Sequence, residues 1–463
     1  MNCMIGFLQA YASTELYKNF TDEARKDIQM KRLRSLLIHA QKNSPFYGRH
    51  FKNAGVDMLD AATFKSDVSS VLRRIPFLTR KEMLSGFDDW FTDRRVTEAG
   101  VSAFTGDLGN IGKKFLNKYM VCKTSGTTGA PLAVLYDEHF LGIYEGLFAS
   151  PKFTRKEDYA PFLRGQFRTA TVAINDGFHV GNGFTHRKNP ARILLKDTTH
   201  MLVDAAMPMA KIVEALNRFQ PNTIRSFPTT FELLADECKA GRLRISPALL
   251  TTSGEDLPDK RREYLTEAFG CHVHSSYVST EGGVIASDCA LRRYHLNDDW
   301  MIVEPVDSAG NPVPDGQLSD KLLLTVLSNF TQPFIRYEVT DRIRYHAEER
   351  CPCGNPSPWI EIMGRADAIA SFDTPGGKIK VTPWLFHSHL MEIDECRRYQ
   401  VVVRSGNVIE LRLDADDRPA VFARVCGPLR QNLKAMGAEV DVRLSDDLPE
   451  IDATKKFQCV VTR

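Results

Sequence analysis

Apolar residues recur at helical spacing early in the chain. Between Asp22 and Gln41 they fall at Ile28, Leu33, Leu36, Leu37 and Ala40, a spacing that lines one face of a helix. The pattern stops at Asn43-Ser44-Pro45, because the residue before a proline avoids the helical region. The first ~70 residues read as helical. From residue 119 onward the texture changes. Short apolar runs alternate with helical patterns through Thr169–Ile174, Met209–Phe219, Thr230–Cys238 and Ala248–Ser253, which predicts an α/β domain. Residues 300–346 are richer in strand-like runs, such as Lys321–Leu327. Turn signals follow at Ala309-Gly310-Asn311-Pro312 and Pro314-Asp315-Gly316. Arg398–Arg404 and Val408–Leu413 read as a hairpin around Ser405-Gly406-Asn407. A helix over Val421–Met436 and a strand over Glu439–Leu444 complete a small α+β block. We place the boundary so that residues 1–365 form a large N-terminal α/β domain and residues 366–463 a small C-terminal α+β domain.

Chemistry enters at Lys123-Thr124-Ser125-Gly126-Thr127-Thr128-Gly129-Ala130-Pro131. Two glycines allow tight backbone geometry and the hydroxyls supply donors, so the loop can wrap phosphate oxygens. A P-loop would need a lysine before its final Ser or Thr, and none is present. Taken alone, such a cluster is more often a surface turn.

It does not stand alone. The run resembles the phosphate loop of the adenylate-forming, acyl-CoA synthetase-like superfamily, with Ala130 where many members have lysine. Further motifs follow in that family's order. Thr252-Ser253-Gly254-Glu255-Asp256-Leu257-Pro258 resembles the segment lining the adenine pocket. Ser276-Tyr277-Val278-Ser279-Thr280-Glu281-Gly282 resembles Tyr-Gly-x-Thr-Glu, with valine replacing glycine. Arg336 to Arg344 resembles Tyr-x-Thr-Gly-Asp with its following arginine, without the glycine. Gly364-Arg365-Ala366-Asp367 resembles the hinge, and Ala453-Thr454-Lys455-Lys456-Phe457 resembles the C-terminal Ser-Gly-Lys-Phe. His39 to Tyr47 and Ile75 to Arg80 are similar to the opening of phenylacetate–CoA ligases. The resemblance runs from about residue 30 to the end.

The resemblance implies an ATP-dependent ligase that joins a carboxylic acid, aromatic or cyclic, to AMP with release of pyrophosphate. Thr124, Ser125, Gly126, Thr127, Thr128 and Gly129 would hold the phosphates. Ser253, Gly254 and Glu255 would border the adenine, and Tyr277 would lie against it. Asp341 would accept two hydrogen bonds from the ribose diol, and Arg344 would reach ribose or phosphate. Two anions must meet, so the site must neutralise charge as it develops. Glu281 would serve Mg2+, an oxygen-seeking ion. Thr280 would hold phosphate or acyl carboxylate, and Lys456 would bridge the acid and the α-phosphate. Asp367 would be the hinge about which a mobile small domain turns between two half-reactions. Phe178, Phe227 and Phe231 are candidates for the acid-pocket wall, though core packing is the more ordinary fate of each.

The second half-reaction is the open question. In phenylacetate–CoA ligases an Arg-Gly-x-Asn-Val-x-Pro run follows the hinge. Here Phe372-Asp373-Thr374-Pro375-Gly376-Gly377-Lys378-Ile379-Lys380-Val381-Thr382-Pro383 takes its place. We therefore expect an amide-forming acceptor such as an amino acid, as in coronafacate ligase, with CoA thioester formation as the alternative. An inactive binding member of the family and a phosphate-releasing NTPase complete the alternatives.

Composition narrows the partners. Lys and Arg total 60 against 58 Asp and Glu, a net charge of +2 in 463 residues. That balance argues against a dedicated nucleic-acid binder. No apolar run approaches the ~20 residues of a membrane span. Met1–Gln9 lacks a basic leader and a cleavage site, so a cytoplasmic location is expected. A homodimer is compatible with the sequence. Ten cysteines are too sparse for a disulfide scaffold. Cys351 and Cys353, with Cys289 and His295 upstream, make a Cys₃His set typical of closed structural Zn2+ sites. Reduced buried thiols and a surface histidine are the alternative.

Overall fold

The computed structural model describes residues 2–17, 19–124, 132–149, 168–173, 177–185, 199–205, 207–255, 257–365, 370–381, 383–390, 393, 395–450 and 457–463. The fold is mixed α/β, with a large sheet domain and a C-terminal α+β domain.

Helices open the chain: α1 (Asn2–Tyr17), α2 (Asp22–Asn43) and α3 (Pro45–Asn53). Thr21 caps α2 by accepting from Ala24 N, and Leu33, Leu36, Leu37 and Ala40 are its buried face. Ser44 is extended, with φ −107° and ψ 111°. It ends α2 and caps α3, whose first residue is Pro45. The missing amide of a proline costs nothing at that position, so the break read from the sequence is also a restart. Beyond a one-turn-and-a-half helix α4 (Arg80–Ser85), strands β1 (Met120–Lys123) and β2 (Ala133–Tyr136) form an antiparallel hairpin, followed by α5 (Glu138–Ala149).

Strands β3 (Arg168–Ala173), β4 (Thr199–Asp204), β5 (Thr223–Ser226), β6 (Leu249–Ser253), β7 (His272–Ser279), β8 (Gly283–Asp288) and β9 (Tyr294–Leu296) come next. They alternate with α6 (Met209–Phe219), α7 (Pro228–Lys239) and α8 (Asp259–Phe269). After β10 (Met301–Val306), β11 (Lys321–Val326) and β12 (Tyr337–Val339) come β13 (Asp341–His346) and β14 (Trp359–Arg365). The large sheet runs β13-β14-β9-β8-β7-β6-β5-β3-β4. Its β4-β3-β5-β6-β7 part is parallel and the remainder antiparallel. One face of the parallel part packs Ala170, Ile224, Leu250 and Val273 against Ile212, Leu216, Phe231, Leu234 and Leu265 of the three helices.

The C-terminal domain has its own core, including Phe372, Val401, Leu411, Val425 and Leu429. It includes β15 (Ala370–Thr374), β16 (Gly377–Val381), a short helix (Pro383–Leu390), β17 (Cys396–Arg404), β18 (Val408–Ala415), α9 (Arg418–Ala435), β19 (Asp441–Leu444) and β20 (Val460–Thr462). The sheet order is β19-β18-β17-β20. Asn407 takes φ +57° at the β17–β18 turn, where the sequence marks one.

Candidate active site

The β1–β2 hairpin flanks the segment read from the sequence as a phosphate loop, and Thr124 closes its base. Thr124 N donates to Leu132 O at 3.0 Å, and Leu132 N donates to Thr124 Oγ1 at 3.0 Å. Arg80, at the start of α4, donates to the same hydroxyl at 3.1 Å. A capping box between Thr79 and Glu82 fixes that helix start. Ser125, Gly126, Thr127, Thr128 and Gly129 lie outside the described residues, as do Asp367 and Lys456.

Other segments meet at the carboxyl ends of the parallel strands, where open α/β sheets bind ligands. Strand β6 ends at Ser253, in register with Ser276 on β7. Gly254 follows at φ +85°, a left-handed turn that favours glycine. The carboxylate of the next residue, Glu255, accepts from Thr229 N and Thr229 Oγ1, each at 3.0 Å, and from Phe457 N at 3.2 Å. Burial pushes this carboxyl up, against the Thr229 hydrogen bonds and nearby Arg261. It thus holds the first turn of α7 and the chain just after Lys456.

The Tyr277 hydroxyl donates to Asp341 Oδ2. Two motifs 64 residues apart thereby become one feature: an aromatic ring with a carboxylate at its tip. Thr280 and Glu281 form the β7–β8 turn, closed by Gly282 N donating to Ser279 Oγ at 2.9 Å. The Tyr136 hydroxyl donates to Thr280 O and ties this turn to the β1–β2 hairpin. Burial, with the Glu281 charge as a minor cause, pushes the Tyr136 phenol well up, so it stays a neutral donor. Arg344 instead donates to Gly316 O at 3.1 Å, on the turn before β11. Phe178 and Phe231 are both buried in cores, Phe231 completely, whereas Phe227 is half-buried just ahead of α7.

Sequence reasoning missed Arg80, Tyr136 and a charged prop behind Tyr277. Buried Asp288 lies 2.5 Å from His274 Nδ1 and 2.6 Å from Arg262. It also accepts from Ser275 N at 3.0 Å. Burial opposes ionisation of Asp288, but His274 and Arg262 outweigh it and hold the carboxyl low. The cluster stiffens β7, which carries Tyr277. Its members sit on three elements with no local spacing, so no motif announces it.

The Cys₃His set does converge. One ligand atom each from Cys289, His295, Cys351 and Cys353 lies within 4.8 Å of the others. Cys289 and Cys351 Sγ are 3.9 Å apart, and Cys353 Sγ is 3.3 Å from His295 Nε2. Tetrahedral zinc with Zn–S near 2.3 Å needs sulfurs about 3.8 Å apart. His295 Nδ1 donates to Ser357 O at 2.9 Å, which turns Nε2 toward the sulfurs in the manner of a metal ligand. Leu291 N and Asn355 N donate to Cys289 and Cys353 Sγ at 3.3 and 3.4 Å, a pattern that favours thiolates. The Cys353 side chain, ahead of His295, pulls the Cys289 thiol down to about 4 against burial. Cys353 is pushed up in turn by the Cys289 thiolate and by burial.

With this geometry in hand, the chain can be set beside known proteins. No protein-family profile matches it. It is 24% identical over 451 residues to phenylacetate–coenzyme A ligase of Pseudomonas putida, covering 91% of this chain and 90% of that one. It is 25% identical over 138 residues to protein CapK of Staphylococcus aureus, a match spanning 29% of each. Among solved structures, 2-hydroxyisobutyryl-CoA ligase in its postadenylation state matches with TM-score 0.66 and 18% identity, covering 96% of this chain and 90% of that one. The same ligase in its thioesterification state matches at 0.56, with 18% identity and the same coverages.

Proposed function

We propose, from a chain that shares the fold and the sequence relatives of adenylate-forming acyl-CoA and aryl-CoA ligases, that this protein activates a carboxylic acid as acyl-AMP. The observation that carries the reading is the Tyr277–Asp341 pair beside the Thr280–Glu281 turn and the base of the phosphate loop. An aromatic face suits a nucleobase, and a carboxylate accepts from a ribose diol. Glu281 would serve Mg2+ bound to the phosphates, and Lys456 would meet the acid carboxylate. Arg80 would supply positive charge where Ala130 gives none.

The acceptor reading is amide formation with an amino acid, and CoA is the alternative. It is supported by the stretch after the hinge. That stretch forms a tight β15–β16 hairpin closed by Thr374 Oγ1 on Gly377 O at 2.7 Å, without the Arg-Gly-x-Asn-Val run. The four-residue Cys₃His cluster is read as a structural Zn2+ site. It would clamp the β8–β9 turn to the segment before β14, which pairs with β9 at Trp359 and His295. The chain is further proposed to act in the cytoplasm; no helix among the described residues is long and apolar enough to cross a membrane.

The test is acid-dependent ATP–pyrophosphate exchange over aryl, cyclic and fatty acids, followed by offering CoA and amino acids together. Exchange with at least one acid is expected; none with any acid would sink the adenylation reading. Acyl-CoA as the sole product would sink the amide reading. Arg80→Ala is expected to raise KM for ATP about tenfold, since a charge-assisted contact is worth roughly 1.5–3 kcal/mol, with kcat falling less. An unchanged KM would remove Arg80 from the phosphate site.

A further inference from the structure

The C-terminal domain meets the large domain through charge. Among the described residues the apolar core of each remains a separate cluster. Arg398 on β17 has a side chain only 7% exposed and reaches across to α7. Its Nε lies 3.3 Å from Glu232 Oε2 and its second guanidinium arm 3.3 Å from Asp236 Oδ2, with Asp414 of its own domain at 3.7 Å. Glu232, 4% exposed, is also held by Arg261 of α8 at 2.8 Å. Thr229, Glu232 and Asp236 lie three and four residues apart, so they share one face of α7. Thr229 leads to Glu255, and Glu255 takes the amide of Phe457, next to Lys456. Lys260 of α8 closes the far end, donating to Ile393 O and, at 3.2 Å, to Cys396 O. One face of two helices thus holds both β17 and the residue that follows the lysine.

We propose that Arg398 and Glu232 are positioning residues for acyl-AMP formation: their pairing docks the C-terminal domain on α7 and fixes where the Lys456 segment enters the site, with Glu255 as the clip at its end. This rests on the adenylation reading above. The energetics suit a reversible dock. Burying two charges costs about as much as their attraction returns, whereas removing one partner strands the other. The intact seam is therefore near balance, and truncating Arg398 leaves Glu232 with Arg261 alone and half-exposed Asp236 with Tyr264, so that nothing draws β17 onto α7. Neither residue touches ATP or acid in this scheme. Their loss acts on kcat of the step that needs the lysine, not on nucleotide affinity or on transfer from an adenylate already made.

The experiment compares wild type with Arg398→Met, Arg398→Lys and Glu232→Gln. It reads exchange kcat and KM for ATP, acyl transfer from supplied acyl-AMP, and the radius of gyration by small-angle scattering. Arg398→Met and Glu232→Gln are expected to lower exchange kcat at least about tenfold, as misplacement of a reacting group does. KM should stay within about twofold, transfer from acyl-AMP should be retained, and the radius of gyration should increase. Arg398→Lys keeps the charge and should recover most of the exchange. Unchanged exchange kcat, or equal loss of both half-reactions with no recovery by lysine, would overturn the proposal. Wild-type protein without exchange would refute the adenylation reading instead. The dock would then stand or fall on scattering alone: expansion of Arg398→Met supports it and an unchanged radius overturns it.

Discussion

Lys456→Ala is expected to lower acid-dependent pyrophosphate exchange by about 10²–10³-fold, the usual cost of losing one group aimed at developing transition-state charge. The reacting carboxylate and the α-phosphate repel each other until charge is neutralised between them. In the proposed reading Mg2+ would serve the phosphates, and the acid's own charge would fall to this lysine. Binding of ATP should change little, because the lysine's contact strengthens only as the new bond forms. Transfer from supplied acyl-AMP should persist. Lys455→Ala is the internal control for a register one residue out, and it should stay within about threefold, as a substitution that removes no reacting group does. Exchange retained by Lys456→Ala and lost by Lys455→Ala would move the role by one residue; retention by both would remove the lysine from the mechanism.

The second large effect concerns the metal. Protein purified without chelator is expected to carry one zinc per chain, and Cys289→Ser should lose it. A structural zinc contributes folding free energy directly. Loss of one buried ligand should therefore cost several kcal/mol, a fall in Tm on the order of 10 °C for a chain of this size. Chelator added to wild type should lower Tm in the same direction while leaving Cys289→Ser unmoved. Metal-free wild-type protein with the same Tm as the variant would leave only reduced thiols packed beside Trp359.

Much of the local fold was legible because its causes are local. Pro45 ends α2 through the extended Ser44 before it, and the Ser405-Gly406-Asn407 turn supplies the positive φ its hairpin needs. The strand order was not legible, since β9 pairs with β14 across more than sixty residues and nothing near Tyr294 specifies that partner. The candidate site divides along the same line. Motifs identified Tyr277 and Asp341 separately, but their hydrogen bond depends on how β7 and β13 are brought together. All four members of the Cys₃His set were named from the sequence, Cys351 and Cys353 by their close spacing; the sheet supplies the convergence of Cys289 and His295 on them. Glu255 was read from its motif as an adenine neighbour, and the fold turns its carboxylate to Thr229 and Phe457. Asp288 carried no motif at all, because its partners come from β7 and α8.

The crossing of α1 over α5 constrains how the sequence can drift. A Cβ at Gly142 would lie 2.0 Å from Cys3 O, and one at Gly146 2.6 Å from Phe7 O. Even alanine is therefore excluded while α1 stays in place. Descendants of this chain should keep glycine at both positions as long as they keep the N-terminal helix. A side chain at either position in a relative would therefore signal that the helix has shifted or gone.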